Sequence, residues 1–405
     1  MSEGSVLVTY GWCRTAYVVC RSLAAAGYTV YVCDNSRLAM CRYSRYVEGF
    51  VRVPDPFASK RKYVDSIIDF CNRAGIDYVF PVHEDALVLR KRWDRSRTST
   101  RLITESAEKV AIALDKATIT QVAKDAGIPV PETIEYKDET ELLSKAEALL
   151  RDYGHVLIKP RTGNGGKGAS LARNIDEVVN ILEKFKRTYG DLEDQFPIVQ
   201  EYIEGEVYGG CFVAEEGEII DYFGERYLVC KSGGRGSSVL REPCDSSVLE
   251  EYTRRLAKRL KWSGIGHFDF IGSCDDQLYL LEMNPRVWGG INHAVANGHD
   301  FPRFAIEQKI EGLSSGMICT VKGDRRSVWV LGVMIVMAEA GMRLRLREMF
   351  KTLVLLIRNS NAARDDLVWH DLPVFVAELT YYLSGFVKSR GNVNPELPEM
   401  VIKND

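Results

Sequence analysis

Apolar and polar residues alternate along residues 266–290, on both sides of a short polar turn. Because side chains two positions apart in a strand share a face, this alternation predicts a β-hairpin. The pattern places Glu282 and Asn284 on one face and Leu281 on the opposite face. In such a hairpin, we expect Asp269 to approach Glu282 from the neighbouring strand.

The N-terminal pattern predicts a parallel sheet. Residues 4–34 read as a strand, a turn, a helix and a second strand, and another helix and strand follow at residues 62–82. This βα repeat is typical of an open α/β sheet. His83, Glu84 and Asp85 follow at the carboxyl end of a strand, where they either bind a ligand or cap the next helix.

The turn after the first strand argues against a dinucleotide site. It has one of the three glycines that such a site requires, and Trp12 and Arg14 occupy positions where the backbone would approach a pyrophosphate. An oxidoreductase that uses NAD is therefore the weaker alternative.

Two lysines lie beside helix and loop signals. A predicted helix starts at Asp115, which is a favoured N-cap residue, so Lys116 lies in the first turn. Further on, an apolar strand ends at Lys159, and the loop of residues 160–169 contains four glycines. Glycines let a backbone approach phosphates closely, although such a loop also occurs in ordinary hairpins.

The middle and the end of the chain carry weaker signals. Residues 197–223 predict two strands that either offer an edge to adenine or form a plain charged hairpin. Residues 230–242 are rich in glycine, serine and basic residues, as in a lid over an anionic substrate or a solvated loop. After residue 328, an apolar run and several basic residues predict helices that cap the main body or contact a membrane surface or a partner.

Composition and charge narrow the class. The chain has 405 residues, 46% of them hydrophobic, and a net charge of −3, which indicates a globular protein and gives no support to nucleic-acid binding. Its ten cysteines show no zinc spacing, and we expect them to be reduced in a cytoplasmic protein. The first residues lack the pattern of a secretion signal.

The hairpin acids predict a metal site. Carboxylate and amide oxygens on one surface are the ligands that Mg²⁺ prefers, and Asp269, Glu282 and Asn284 supply them. Arg286 follows at once, with a permanent charge suited to a phosphoryl or carboxylate group.

In this order, the motifs resemble the ATP-grasp superfamily of carboxylate–amine ligases, especially its branch like carbamoyl-phosphate synthase and biotin carboxylase. The resemblance covers residues 4–312 and includes DKATITQ, VLIK before the glycine-rich loop, QEYIEGE and EMNPR. It implies an α/β fold: a Rossmann-like domain (1–112), a two-subdomain ATP-grasp domain (113–312, with α+β character and a lid at 125–200) and a mainly helical extension (313–405). At position 269 this chain has an aspartate, where many members of the family have glutamate or glutamine.

The resemblance also implies roles for the site residues. Asp269, Glu282 and Asn284 would bind two Mg²⁺ ions, with Mn²⁺ as a substitute, and Arg286 and Arg241 would act in catalysis. The residues implied to bind ATP are Lys116, Lys159, Gly163, Gly165, Gly166, Lys167, Gly168, Glu201, Ile203 and Glu206.

The implied reaction is activation of a carboxylate by ATP and its coupling to an amine, with release of ADP and phosphate. Because the sequence holds no biotinyl-carrier or glutaminase segment, we do not expect a full carboxylase or carbamoyl phosphate synthase. A regulator that binds nucleotide without turnover is the other alternative. We expect small-molecule partners, no nucleic acid, and a homodimer or peripheral membrane contact through the extension.

Overall fold

The protein is described here by a computed structural model that covers residues 3–163, 168–189, 197–231, 236–272, 277–311, 323–342 and 346–388. Within these residues the strands form three sheets, and each sheet contributes to one central cleft. The predicted α/β architecture is confirmed.

The first sheet is parallel. Its strands are β1 (Ser5–Val8), β2 (Thr29–Asp34), β3 (Gly49–Arg52), β4 (Tyr78–Phe80) and β5 (Arg101–Leu102), in the order β3-β2-β1-β4-β5. The connecting helices are α1 (Arg14–Ala25), α2 (Lys60–Ala74) and α3 (Asp85–Trp93). β1 and β4 are short apolar runs, as expected for strands covered on both faces.

Two helices lead out of this sheet. α4 (Ala107–Leu114) and α5 (Lys116–Asp125) are separated by Asp115, whose carboxylate accepts a hydrogen bond from the Ala117 N–H. The predicted N-cap and the predicted start of the helix are therefore confirmed. Gly127, which follows α5, has a φ of 64° that favours glycine.

The second sheet is small and antiparallel. It consists of β6 (Val156–Lys159), β7 (Ser170–Ala172) and β8 (Ile198–Glu201), in the order β7-β6-β8. The helices α6 (Glu139–Tyr153) and α7 (Ile175–Tyr189) supply apolar side chains to one core with these strands.

The third sheet is the largest and includes the predicted hairpin. Its strands are β9 (Glu206–Glu215), β10 (Glu218–Cys230), β11 (Ser238–Pro243), β12 (Gly264–Gly272), β13 (Leu278–Asn284), β14 (Ser327–Val328) and β15 (Ala363–Arg364), in the order β13-β12-β9-β10-β11-β14-β15. The helices are α8 (Ser247–Leu260), α9 (Ile291–Ala296) and α10 (Phe301–Glu311). The prediction of a loop at residues 230–242 was wrong for β11, which pairs with β10.

The C-terminal extension is joined to both large sheets. It contains α11 (Val330–Met342), α12 (Leu346–Arg358) and α13 (Leu372–Lys388), and it also supplies β14 and β15 to the third sheet. Asp371 accepts hydrogen bonds from the Tyr17 hydroxyl at 3.0 Å and the Ser44 hydroxyl at 2.7 Å, both in the N-terminal domain. The extension therefore braces the first sheet against the third.

Among the described residues, none of the helices has the length and apolar character needed to cross a bilayer.

Candidate active site

A cleft of about 480 Å³ lies where the three sheets meet. The loop after β1 lines one end, the small sheet lines another side, and the β12–β13 hairpin forms the floor. Lys116, Lys159, Asp269, Glu282 and Arg286 all line this cleft.

The hairpin brings the predicted metal ligands together. In the register of β12 and β13, Asp269 lies opposite Glu282 and His267 lies opposite Asn284. The Asn284 side-chain amide donates to Asp269 at 2.9 Å, and the Tyr227 hydroxyl donates to the other oxygen of Asp269 at 3.0 Å. The oxygen donors fit Mg²⁺, so this donor set agrees with a magnesium site.

One detail of the predicted hairpin was wrong. Leu281 was placed on the face opposite Glu282, but it lines the cleft beside Glu282. The register shifts between Asp269 and Phe270, since Asp269 pairs with Glu282 and Phe270 pairs with Leu280. An extra residue in β13 therefore interrupts the alternation on which the prediction depended.

The two lysines face the hairpin acids. The ammonium group of Lys116 lies 3.1 Å from a carboxylate oxygen of Glu282 and donates to the Gly163 carbonyl at 2.6 Å. Burial and the nearby charge of Lys116 together lower the pKa of Lys159 to about 8. Burial opposes ionisation of Glu282, but Lys116 and Lys159 lower its pKa below the usual value.

Asp269 has the opposite shift. The pKa of Asp269 is raised to about 6. Burial is the main cause, His267 opposes the shift, and the neighbouring Glu282 charge adds to it. An acid held in this way prefers a cation beside it, because a cation removes the repulsion between two close carboxylates.

Arg286 is held by a residue of the N-terminal domain. Its guanidinium donates to the Glu84 carboxylate at 2.9 and 3.2 Å and to the Val287 carbonyl at 2.8 Å. His83 lines the cleft and stacks on Tyr10, whereas Asp85 accepts from the His83 N–H in the first turn of α3. Among the described residues, the side chain of the α3 N-cap makes no capping hydrogen bond, and ligand binding by this segment stays a prediction.

Of the three residues implied to bind adenine and ribose, two line the cleft and one does not. Glu201 and Ile203 line the cleft at the end of β8. Glu206 points away toward Arg226, whose guanidinium donates to it at 3.0 Å. Gly163 lines the cleft and Gly168 is also described, but Gly165, Gly166 and Lys167 lie outside the described residues.

Arg241 does not reach the cleft in the way that we expected. Its side chain is fully buried, and its guanidinium donates to Asp365 at 2.9 Å and to the Ser327 hydroxyl at 3.0 Å. The expectation that Arg241 binds a substrate carboxylate was wrong, because both of these partners belong to the C-terminal extension. Arg241 instead ties the sheet to the extension.

A buried network that lies behind the candidate metal site was missed by the sequence analysis. Glu225 accepts hydrogen bonds from the Trp288 indole at 2.8 Å and is bonded to His293 at 2.9 Å. His267 lies 3.6 Å from Glu225 and stacks on Trp288. His267 is two residues before Asp269 in the strand, and this spacing on one face was a signal available in the sequence.

Comparison with known families agrees with this arrangement. The ATP-grasp domain family matches residues 113–290, which include α5, the small sheet and the hairpin. The chain contains an ATP-grasp domain. Relatives of this domain include biotin carboxylase and carbamoyl-phosphate synthase, so the resemblance expected from the motifs is confirmed.

A sequence relative and two solved structures illustrate the similarity. The chain is 28% identical over 194 residues to the biotin carboxylase of Nostoc sp., covering 44% of this chain and 42% of that protein. It is similar in structure to the biotin carboxylase domain of the Hydrogenobacter thermophilus 2-oxoglutarate carboxylase, in complex with ADP, magnesium and bicarbonate (TM-score 0.65, 19% identity, 81% of this chain and 74% of that chain). A Staphylococcus aureus N5-carboxyaminoimidazole synthetase with ADP has a TM-score of 0.63 at 16% identity and covers 84% of this chain and 86% of that chain.

The similarity in structure shows the fold. The chain spans one fifth to one half of the length of the first curated relatives that it matches. The roles of the individual cleft residues stay predictions.

Proposed function

We propose that the protein is an ADP-forming ligase that uses ATP to activate a substrate carboxylate and then joins it to an amine. One observation carries the proposal: the hairpin acids Asp269 and Glu282 lie opposite each other, and Lys116 contacts Glu282 in the same cleft. This set combines oxygen ligands for a divalent cation with positive charge for phosphates.

The cofactors in this proposal are ATP and Mg²⁺. Asp269, Glu282 and Asn284 hold two magnesium ions, or manganese in their place, and the metal supplies charge neutralisation for phosphoryl transfer. Lys116 and Lys159 bind phosphate groups. The ADP and magnesium complex of the similar carboxylase domain supports this assignment.

The reaction has two steps. A substrate carboxylate oxygen attacks the γ-phosphorus of ATP, which releases ADP and forms an acyl phosphate. The amine then attacks the acyl carbon, phosphate leaves and the amine loses a proton. Arg286 stabilises the transferring phosphoryl group, and Glu84 holds the Arg286 guanidinium in position.

The acid and the amine can be identified in one assay. Purified protein is incubated with ATP, Mg²⁺ and pools of carboxylic acids, bicarbonate included, each with and without amines, and ADP and phosphate are measured. The proposal expects stimulation by one acid–amine pair and a product whose mass is their sum less water. For bicarbonate, the product is the amine plus carbon dioxide. ATP binding without stimulation by any pool favours the regulator.

The NAD alternative has less support. Asp34, at the end of β2, accepts hydrogen bonds from the Trp12 N–H at 3.0 Å and the Ser36 N–H at 2.7 Å. Trp12 stacks on Tyr381 with ring centroids 5.1 Å apart, so the loop after β1 packs on the extension. Because both oxygens of the Asp34 carboxylate accept backbone hydrogen bonds, this acid is not positioned to bind a ribose.

We propose that the extension also provides a contact surface. Phe350, Leu353 and Ile357 are exposed and follow helical spacing along α12. We propose that this surface contacts a membrane, because the basic residues of the extension would favour anionic lipids. Sedimentation with anionic liposomes tests it: full-length protein that stays in the supernatant at low salt contradicts membrane contact. Sedimentation velocity tests the homodimer.

A further inference from the structure

Arg14 is a buried arginine that lines the cleft, and the reaction proposed above does not use it. It starts α1, directly after the loop that follows β1, and it lines the cleft while being only 8% exposed. A Cβ atom added at Gly289, another residue of the cleft wall, would lie 2.9 Å from a terminal nitrogen of Arg14. The glycine therefore leaves room for the guanidinium beside the cleft.

The contacts of Arg14 within the protein do not use its hydrogen-bonding capacity. The guanidinium lies over the Trp329 ring, with its Cζ atom 3.7 Å from the ring centroid. Its nearest acid, Asp365, is 3.7 Å from Nε, too far for a hydrogen bond. Within the described part of the chain, Nε of Arg14 has no hydrogen-bond partner.

Asp365 is already engaged by other groups. The oxygen that faces Arg14 accepts a hydrogen bond from Arg241 at 2.9 Å, and the other oxygen accepts one from the Asn292 amide at 3.1 Å. One carboxylate is therefore shared by two guanidinium groups. The hydrogen bonds of Asp365 go to Arg241 and Asn292, so Asp365 does not satisfy the donors of Arg14.

Charged groups of both signs surround Trp329 and the Arg14 guanidinium. The ammonium group of Lys231 lies 4.7 Å from the centroid of the same Trp329 ring. Glu378 bonds to the Trp329 indole, and burial raises the pKa of Glu378 well above its usual value, which favours its neutral form. Asp366 accepts from the backbone N–H groups of Val330 and Leu331 at the start of α11, where it acts as a helix cap.

We propose that Arg14 binds an anionic group of a substrate, a carboxylate or a phosphate that is not the group activated by ATP. The Arg14 guanidinium lies over Trp329 and offers a planar donor fork beside Gly289, and this fork suits either oxyanion. The substrate class is thus an acid or amine that carries a second negative charge. The inference rests on the proposed function for the reaction but not for the binding of the anion.

Direct binding tests the subsite without turnover. Wild-type protein is loaded with Mg²⁺ and a non-hydrolysable ATP analogue, and isothermal titration calorimetry is run with dicarboxylates from malonate to adipate, with 3-phosphoglycerate and with butyrate. We expect one dianion to bind more tightly than butyrate. The dicarboxylate and phosphate arms distinguish the two sources of the anion.

Two variants assign the binding to Arg14. Arg14→Gln should weaken the preferred dianion by about tenfold or more, the loss expected for a hydrogen bond to a charged group. Butyrate and the ATP analogue should bind it as they bind the wild type. Arg14→Lys should fall between, because it keeps the charge and loses the fork.

Arg21→Gln is the matched control. Arg21 lies on the same helix, packs over the Tyr17 ring at 4.8 Å and donates to Asn292, but it does not line the cleft. This variant should keep the dianion preference. Dianions that bind no better than butyrate, or an unchanged preference in Arg14→Gln, overturn the proposal. Failure of every acid–amine pair in the turnover assay contradicts the ligase instead and leaves this binding result to stand by itself.

Discussion

Arg286 of the ATP-grasp domain and Glu84 of the N-terminal domain form a buried ion pair with a closest distance of 2.9 Å. The two residues are 202 positions apart in the chain. Glu84, at the start of α3 in the N-terminal part of the chain, therefore orients a residue of the candidate active site.

This ion pair predicts a positioning role for Glu84. Replacing Glu84 by Gln removes the charge that holds the buried guanidinium, so we expect the turnover number to fall by about tenfold or more. The KM for ATP should change little, since Lys116 and Lys159 hold the phosphates in our proposal. Glu108→Gln, an exposed residue of α4, is the control. An unchanged turnover number in Glu84→Gln would contradict the role.

Lys159 predicts that nucleotide binding takes up protons. Burial and Lys116 lower the pKa of Lys159 to about 8, so near pH 8 a fraction of the free protein carries a neutral lysine. Phosphate groups favour the charged form and raise this pKa on binding. We expect net proton uptake near pH 8 that disappears below pH 7, where Lys159 is already protonated.

Calorimetry in buffers with different ionisation enthalpies measures this uptake. Lys159→Met should lose it, and the exposed Lys145→Met should keep it. Uptake that is independent of pH, or that persists in Lys159→Met, would show that another group is responsible.

Glu225 predicts acid sensitivity of the buried network. Burial raises the pKa of Glu225, but its bonds to His267 and His293 outweigh this and lower the pKa to about 2, from 4.5. A lowered pKa contributes stability that is present above pH 4.5 and is lost as the pH falls toward 2. Urea unfolding between pH 6 and pH 3 measures the loss.

The variant Glu225→Gln should lower the free energy of unfolding at pH 7 by roughly 3 kcal/mol, because it leaves buried partners of a charge unsatisfied. It should also flatten the dependence on pH. Glu250→Gln, on the surface of α8, is the control. A wild-type pH dependence in Glu225→Gln would exclude Glu225 as its origin.

Local patterns were enough to predict much of the fold and part of the site. The hairpin brings Asp269 and Glu282 together because β12 and β13 are close in the chain and pair antiparallel, and strand alternation then sets the face of each acid. Asp115 caps α5 as its residue type indicates. In both cases the interacting residues are close in the chain.

Contacts between distant segments could not be predicted in this way. We expected Arg241 in the cleft because its charge is evident from the sequence. Its partner Asp365 is 124 positions away in the extension, so their pairing could not be predicted. Glu84 and Arg286 were both singled out in the sequence, but their pairing was not predicted. The extra residue of β13 at Leu281 cannot be recognised from the order of apolar and polar residues. Tertiary packing decides each of these features.

The ligase claim is tested most directly by Mg²⁺-dependent ADP release in the wild type and in Glu282→Ala, measured with an acid–amine pair that stimulates the wild type. The account predicts that Glu282→Ala loses turnover, since it removes both a metal ligand and the partner of Lys116. Glu218→Ala, an exposed glutamate on β10, should retain it. ADP release by folded Glu282→Ala at the wild-type rate would contradict the account.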